Sequence, residues 1–502
     1  MLSVLLWAPL AAGALALLAP RGLARWLAVA GSLVALVLVI ALAVDFTAGT
    51  ATIQHSVDET WIPDLGVSYE LGVDGISVFL VLLTAVLWFA STLWSALRSE
   101  PMVGRSQLYY FLLGLGETAA LGAFCAQDLL LFVLFFDLML IPFFLLIGTF
   151  GGLNRVRATM KMIVYTLVGS LLMLVGAIAT AILVSQQTGE LNFSISYLRE
   201  NLLSSGSQYW IFCFFAAAFL VKMPAFPIHG WMPDAYRAAP LPVLVLLSGV
   251  LSKVGAYGFL RVALPVFPDA STHFQELVML IALGSILYGS VMAFTQTNVR
   301  LVAGYSSVAQ LGFITIGIFS LRPDGAEGAV LQMVNHGLVV GVVFLIIALL
   351  YERARTEDLT LMGGLAVRAP FLAALFLVVT MANLAIPGSA NFIGEFYILN
   401  GVFQSKIAFA FVAAVGIALA AFYALRLYQR TMHNRLPDGV VSREITVRDG
   451  LILAPLVALI VALAFYPGLI LDRGEASVNA AVAAVQPESS ATASTPLHGG
   501  PE

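Results

Sequence analysis

The chain has 502 residues, of which 60% are hydrophobic and only 10% are charged, and its formal net charge is −4. Soluble domains carry about 25% charged residues, so this composition excludes an ordinary water-soluble protein, and nothing in the charge balance indicates nucleic-acid binding. The two cysteines, Cys125 and Cys213, stand far apart in apolar runs without metal-ligand spacing, which argues against a bound metal or an iron–sulfur cluster. The class that remains is a protein with many membrane-spanning segments.

Long apolar runs follow one another along the chain and predict an all-α membrane protein of about 14 transmembrane helices in the lipid bilayer. The runs are continuous, whereas the strands of a membrane barrel show alternating polarity over about ten residues. The predicted spans are residues 3–19, 26–44, 75–97, 108–126, 129–149, 161–185, 209–236, 240–263, 274–296, 299–320, 328–350, 369–404, 407–429 and 450–471.

The basic residues are distributed unevenly between the two sets of loops. Seventeen of the 24 Lys and Arg lie in loops that follow odd-numbered spans, five lie in the opposite loops and the tail, and Lys222 and Lys253 lie inside spans. Because Lys and Arg in short loops are retained in the cytoplasm, we expect both termini on the non-cytoplasmic side of the membrane.

Two predicted spans are unusually long and contain proline. Residues 209–236 are interrupted at Pro224, and residues 369–404 at Pro387. Proline removes a backbone donor, so each span is predicted to form two half-helices. They are the seventh and twelfth spans, and this odd offset of five predicts two inverted five-helix repeats, each with a broken helix, around an ion site near the membrane midplane. The alternative is that both prolines are tolerated kinks.

The predicted spans group into five parts. These are residues 1–107 with three N-terminal helices, 108–263 with the first repeat (helices 4–8), 274–430 with the second repeat (helices 9–13), 431–472 with a loop and the last helix, and 473–502 with a tail. The tail is rich in Ala, Ser and Pro, so we expect it to be disordered.

A few titratable residues inside the predicted spans are the candidates for function. They are Glu117, Asp137, Lys222, Lys253, His336 and Glu395. A charge at the bilayer centre costs about 2.5–3.5 kcal/mol on insertion scales, so such groups face protein or water and usually have a partner. A row of titratable groups predicts a proton path, and the sequence has no GxSxG, HExxH or P-loop pattern of a covalent chemistry site.

An acid and a base among these candidates are predicted to form a pair. Asp137 lies in the middle of the fifth span, and Lys222 lies just before the proline break of the seventh. A carboxylate inside a membrane is stabilised by a nearby ammonium group. The alternatives are an aspartate that is hydrogen-bonded within its own helix and a lysine that extends to the membrane interface.

The remaining candidates extend the predicted path. Lys253 has small neighbours that leave room for water. His336 could relay protons through its two ring nitrogens, or it could be a hydrogen-bonded packing residue. Glu395, on the second half of the broken twelfth span, is predicted to take up or release a proton at the end of the path. Glu117 is either a further relay or a neutral buried acid.

A long motif covers the break in the seventh span. Residues 221–235, VKMPAFPIHGWMPDA, followed by Ala239-Pro240, resemble the K-x-P-x-x-P-x-H-x-W-x-P-D-A…A-P signature of the antiporter-like membrane subunits of respiratory complex I. The likeness extends over roughly residues 70–430, and the further similar segments are residues 71–77, 305–307 and 331–338. Glu395 in its F-I-G-E-F segment is similar to the glutamate of the M-type branch, where the other branches generally have lysine.

The resemblance implies a bacterial inner-membrane protein that is a non-redox subunit of a proton-translocating NADH:quinone oxidoreductase. It implies that Asp137 modulates Lys222, that protons pass to Lys253 with His336 assisting, and that Glu395 is the exit-side group. L- and N-type antiporter-like subunits are the implied partners. No cofactor is implied for this chain, while NADH, FMN, iron–sulfur clusters and quinone are implied for partner subunits.

Two positions depart from the family pattern. Asp137 stands where the family usually has glutamate, so we expect a water between this shorter side chain and Lys222. Gln310 stands where the family usually has histidine, so no proton relay is expected there. The alternative function is a cation/proton antiporter subunit or a membrane subunit of a related hydrogenase complex, since these use the same fold and the same buried charges.

Overall fold

The computed structural model describes residues 1–98, 105–437 and 439–486, and it is almost entirely helical in these ranges. The helices are α1 Leu2–Leu18, α2 Arg21–Asp45, α3 Val78–Leu97, α4 Ser106–Cys125, α5 Leu129–Leu138, α6 Leu140–Phe150, α7 Arg155–Thr188, α8 Ile195–Glu200, α9 Ser205–Lys222, α10 Met232–Ala238, α11 Leu241–Leu246, α12 Ser252–Gly258, α13 Leu264–Val266, α14 Pro268–His273, α15 Gln275–Thr295, α16 Val299–Ile318, α17 Pro323–Ala354, α18 Pro370–Asn383, α19 Ala390–Ser405, α20 Ile407–Met432, α21 Val447–Phe465 and α22 Gly468–Ala483. Strands β1 Gln54–Ile62 and β2 Val67–Val73 form an antiparallel hairpin.

The helices confirm an all-α polytopic membrane fold. Eleven segments of the described chain are long and apolar enough to cross a membrane, with α5 and α6 counted together and α11 to α13 counted as one. Helices α1 and α18 are apolar but shorter. Each of the fourteen predicted apolar stretches is occupied by helix, while the number of helices that cross the membrane stays a prediction.

Three segments form the centre of the bundle. The apolar spans of three segments are fully buried inside the protein, namely Leu241–Val266, α16 and α17. More than half of the apolar span is uncovered in each of α2, α7, α20 and α21. Uncovered apolar residues are stable against lipid, so the outer helices present a surface that is suited to the membrane. Charged residues on the central segments are therefore shielded from lipid by protein.

Both predicted helix breaks are present. Residues 223–231 separate α9 from α10, and residues 384–389 separate α18 from α19. Pro224 and Pro387 lie in these gaps, because neither can continue the hydrogen-bond ladder of the preceding helix. The indole of Trp231 donates a hydrogen bond of 2.9 Å to a carbonyl in the last turn of α9, which satisfies one of the acceptors that the break leaves free.

Two elements differ from the sequence predictions. The hairpin of residues 54–73 was not predicted, because hydropathy gives no indication of strands between spans. The expectation of disorder from residue 473 is wrong for residues 473–483, which belong to α22. Apolar and small residues recur every four positions in α22 and bury one face, with Val478 and Val482 both 0% exposed. The tail predicted for residues 487–502 lies outside the described residues.

Candidate functional site

Five of the six predicted titratable residues are buried and one is half-buried. They lie on six different helices, α4, α5, α9, α12, α17 and α19. The relative exposures are 0% for Glu117, Lys253 and His336, 2% for Glu395 and 7% for Lys222, and Asp137 is half-buried. The titratable residues that hydropathy placed inside the spans are therefore mostly buried within the protein.

Lys222 is the last residue of α9, at the start of the first break. Its ammonium Nζ donates a hydrogen bond of 2.9 Å to the carbonyl of Phe136 and lies 4.3 Å from the centroid of the Phe136 ring. This carbonyl lies in the last turn of α5, which ends at Leu138 just before α6 begins at Leu140, and the carbonyls at a helix end lack the regular intrahelical donors. The Lys222 side chain therefore lies inside the protein and not on its outer surface.

Asp137 lies beside Lys222 without direct contact. Lys222 and Ser170 are the groups that act on the Asp137 carboxylate, but within the described chain no ion pair joins Asp137 to Lys222 and Asp137 Oδ1 has no hydrogen-bond partner. A shorter acidic side chain leaves such a gap, and a water that bridges two polar groups is nearly as favourable as a direct hydrogen bond. A water between Asp137 and Lys222 stays a prediction.

Lys253 lies on the fully buried α12, between two π-helical turns. The turns cover Leu247–Leu251 and Phe259–Ala263. The ammonium Nζ donates to the carbonyl of Ser248 at 2.7 Å and to the hydroxyl of Ser252 at 3.2 Å, and no carboxylate pairs with it in the ranges that the structure describes. A π turn offsets backbone carbonyls from the regular ladder and is frequent at functional sites. Backbone and hydroxyl dipoles alone therefore hold this ammonium group.

His336 lies on the central helix α17 and interacts electrostatically with Lys253. Neither of its ring nitrogens has a hydrogen-bond partner among the described residues. The geometry thus does not favour the alternative of a hydrogen-bonded packing histidine. Unpaired buried polar atoms in proteins commonly bind ordered water.

Glu395 lies on α19, the second half of the second broken helix, and is held by an amide pair. Gln310 Nε2 donates to Glu395 Oε1 at 2.8 Å, and Gln332 Nε2 donates to Gln310 Oε1 at 2.7 Å. Glu395 Oε2 has no partner in the described part of the chain. Gly394 allows this arrangement, because a Cβ there would collide with Gln332 Oε1. One carboxylate oxygen is therefore fixed and the other remains available.

Two buried amides, one next to His336 in the sequence and one a helical turn before Glu395, were not predicted from the sequence. Asn335 donates to the carbonyl of Ala390 at 2.8 Å, while its Oδ1 and both polar atoms of Asn391 are buried without partners in the described structure. These residues are neutral, so a search for charges inside spans could not find them. The sequence signal for them is the presence of Asn inside apolar spans, because an amide is costly to bury without a hydrogen-bond partner.

Glu117 is bound by a serine of a neighbouring helix. Its Oε2 accepts a hydrogen bond of 2.5 Å from Ser32 of α2, and Oε1 has no partner within the described residues. Helix α4, which carries Glu117, packs against α1 and α2 and also contacts α5 and α12. A relay role for Glu117 therefore stays a prediction.

The remaining motif residues shape the first break. His229 lies among aromatic rings, with centroid distances of 5.9 Å to Phe226 and 4.9 Å to Tyr288. Asp234 forms an ion pair of 2.8 Å with Lys161 of α7. These contacts hold the segment between α9 and α10 against its neighbours, and so fix the position of the Lys222 end of α9.

Known proteins resemble this chain in sequence and in fold. Residues 126–420 match a family model described as NADH:quinone oxidoreductase/Mrp antiporter, transmembrane. NADH-quinone oxidoreductase subunit M of Rhodobacter capsulatus is 37% identical over 488 residues, which cover 94% of each chain. Its counterpart in Escherichia coli K12 is 36% identical over 441 residues, or 86% of each chain. A chain of respiratory complex I from Thermus thermophilus with bound NADH superposes with a TM-score of 0.89 at 30% identity, covering 97% of this chain and 100% of that one.

Proposed function

The chain belongs to the NADH:quinone oxidoreductase/Mrp antiporter family of membrane proteins, and on that basis we propose that it translocates protons as the M-type subunit of an NADH:quinone oxidoreductase. The observation that carries the proposal is the set of buried titratable groups on α9, α12, α17 and α19, namely Lys222, Lys253, His336 and Glu395. Such groups are costly inside a membrane and mark proton and ion pathways.

Proton uptake and release begin at Lys222. The ammonium is held by one backbone carbonyl, and the Asp137 carboxylate is near enough to act on it without touching it. A carboxylate stabilises a neighbouring ammonium group, so a movement that changes the separation of the two side chains changes how readily Lys222 gives up its proton. The break between α9 and α10 lies directly after this lysine, and a broken helix is a natural place for such a movement.

Transfer across the centre depends on Lys253 and His336. Lys253 is held only by neutral dipoles, so its proton is not fixed by a carboxylate partner. A neutral imidazole accepts a proton at one ring nitrogen and releases one from the other, and both nitrogens of His336 are free of protein partners in the described structure. The unpaired atoms of Asn335 and Asn391 provide polar groups for water beyond the histidine.

The path ends at Glu395. Gln310 holds Glu395 Oε1, and Gln310 is itself held by Gln332. The free Oε2 is the oxygen that accepts and releases the proton, because its partner oxygen is already engaged. Neither amide side chain accepts a proton under ordinary conditions, so the two glutamines position the carboxylate and do not relay protons themselves.

The chain acts beside other antiporter-like subunits of a membrane arm. NADH, FMN, iron–sulfur clusters and quinone are assigned to partner subunits in this proposal, and this chain contributes no redox step. The two helix breaks, five predicted spans apart, support two inverted repeats over residues 108–263 and 274–430. The distribution of Lys and Arg supports a bacterial inner-membrane orientation with both termini on the non-cytoplasmic side.

The test separates electron transfer from pumping in the assembled complex. Lys222→Ala and Glu395→Gln variants are reconstituted in liposomes, and quinone reduction and proton uptake are measured on the same vesicles. We expect fewer protons pumped per NADH oxidised in both variants. Lys406→Met is the matched control, because Lys406 is partly exposed and pairs with Glu276 at 2.5 Å away from the path. Normal quinone reduction with undiminished pumping in both variants would overturn the proposal.

A further inference from the structure

A large cavity opens at the end of the bundle where α7 and α16 begin and α17 ends. Its volume is 1310 Å³, and seven arginines but only three acids line it. Each acid is already paired. Glu352 binds Arg98 and Glu357 binds Arg300, both at 2.7 Å, and Asp234 is bound by a lysine outside the lining. The cavity therefore carries an excess of positive charge that its own acids do not neutralise.

The other five arginines of the lining form no ion pair with a carboxylate in the ranges that the structure describes. They are Arg105, Arg155, Arg157, Arg237 and Arg355, and all five are exposed. Positive charge in a concave site concentrates anions, and the planar guanidinium group binds phosphate through two parallel hydrogen bonds. The cavity thus matches an oxyanion such as a phosphate group better than it matches a neutral solute.

The first turn of α7 adds backbone donors to the same wall. Asn154 precedes the helix with φ of +58°, and no side chain caps the helix there. The first N–H groups of a helix have no intrahelical partner, and the positive end of the helix dipole favours an anion beside them. Arg155 and Arg157 lie on this turn, so charge and backbone donors coincide.

The cavity also meets the lipid-facing surface of α7. Leu153 lines the cavity and is 91% exposed, and Val156, Met160 and Val164 continue along the helix with exposures of 66%, 52% and 56%. These positions recur at helical spacing and form an apolar stripe that starts at the cavity rim. A free phosphate would use only the arginines, whereas a phospholipid would use both surfaces.

We propose that this cavity binds the phosphate headgroup of an anionic phospholipid, whose acyl chains lie along the apolar stripe of α7. The site is separate from the buried titratable residues and does not depend on the proposed proton path. Basic cavities between membrane helices are suited to anionic headgroups, since each basic residue near such a surface adds to the attraction.

The test uses the assembled, delipidated complex and hydrogen–deuterium exchange of residues 152–158. The complex is titrated separately with bicelles that contain phosphatidylglycerol, with bicelles of phosphatidylcholine and with inorganic phosphate. The triple variant Arg155→Gln/Arg157→Gln/Arg237→Gln removes charge from the cavity. The matched control, Arg430→Gln/Arg435→Gln/Arg448→Gln, removes three exposed arginines that do not line it.

Phosphatidylglycerol is expected to protect residues 152–158 in the wild type and the control. The cavity variant should need about 100-fold more of this lipid for the same protection, from the usual contribution of three basic residues. Equal protection of the cavity variant, or equal protection by phosphatidylcholine, would overturn the proposal. Protection by inorganic phosphate without protection by phosphatidylglycerol would also overturn it, because the cavity would then be a site for free anions.

Discussion

Replacing Gln310 with leucine would remove the side chain that joins Glu395 to Gln332. The residue is 0% exposed, and its amide makes hydrogen bonds of 2.8 Å to Glu395 Oε1 and 2.7 Å from Gln332 Nε2. Leucine is of similar size, so the substitution leaves no large cavity. It does leave Glu395 with two oxygens that lack protein partners, and Gln332 with a free donor.

The magnitude follows from these two orphaned groups. A buried polar group that loses its partner costs about 1–3 kcal/mol, so the pair costs about 2–6 kcal/mol if no water enters. Each 1.4 kcal/mol corresponds to about a tenfold change in an equilibrium or a rate. Since Glu395 is the group whose orientation is lost, we expect the proton-transfer step at Glu395 to slow by at least about tenfold.

The assay is proton pumping per NADH oxidised in liposomes that contain the assembled complex, with Gln310→His as the rescue variant. An imidazole can still donate to Glu395, so the Gln310→His variant should restore a substantial part of the pumping that leucine removes. A structural role alone would lower assembly and quinone reduction together in both variants. Unchanged pumping in Gln310→Leu, with normal assembly, would refute the positioning role of the amide.

Substitutions at three further positions test other parts of the structure. Gly394→Ala should reduce pumping per NADH, because the new methyl group collides with Gln332 and displaces the Glu395 turn; unaltered pumping would contradict the close approach of α19 to α17. Asp137→Glu should retain pumping, because the longer side chain extends toward Lys222, whereas Asp137→Asn should reduce pumping. The same liposome assay distinguishes the two variants. Equal pumping by the Asp137→Asn variant and the wild type would count against an electrostatic role of Asp137. Val478→Ala should lower the free energy of unfolding by about 1.6 kcal/mol, since it removes two methyl-sized groups from a buried face at about 0.8 kcal/mol each. Thermal denaturation followed by tryptophan fluorescence would measure that change, and an unchanged midpoint would mean that α22 is not packed as described.

Local chemistry explains what the sequence could predict. Apolar length located each helical stretch, and Pro224 and Pro387 marked both breaks, because a missing backbone donor acts on its own helix. Charges inside spans identified Lys222, Lys253 and Glu395, because lipid makes such residues rare. None of these predictions requires knowledge of which segments meet.

Long-range pairing explains what the sequence could not predict. Gln310 and Glu395 are 85 positions apart, and nothing in either segment specifies their contact. The hairpin of residues 54–73 has mostly exposed strand residues in β1, so it lacks a hydrophobic pattern that would reveal it. Helix α22 was missed because the residues after it are rich in Ala, Ser and Pro, although Val478 and Val482 have the four-residue spacing of a buried helix face.

The most direct measurement of the central claim is the number of protons pumped per NADH oxidised by a complex that carries Lys253→Met. Methionine approximates the length of lysine without its charge, and Lys253 has no carboxylate partner in the described structure that the change would leave unpaired. The proposed path predicts a reduced ratio in this variant and a normal ratio in the Lys406→Met control. A normal ratio in Lys253→Met, with full assembly and full quinone reduction, would contradict proton transfer through the centre of this chain.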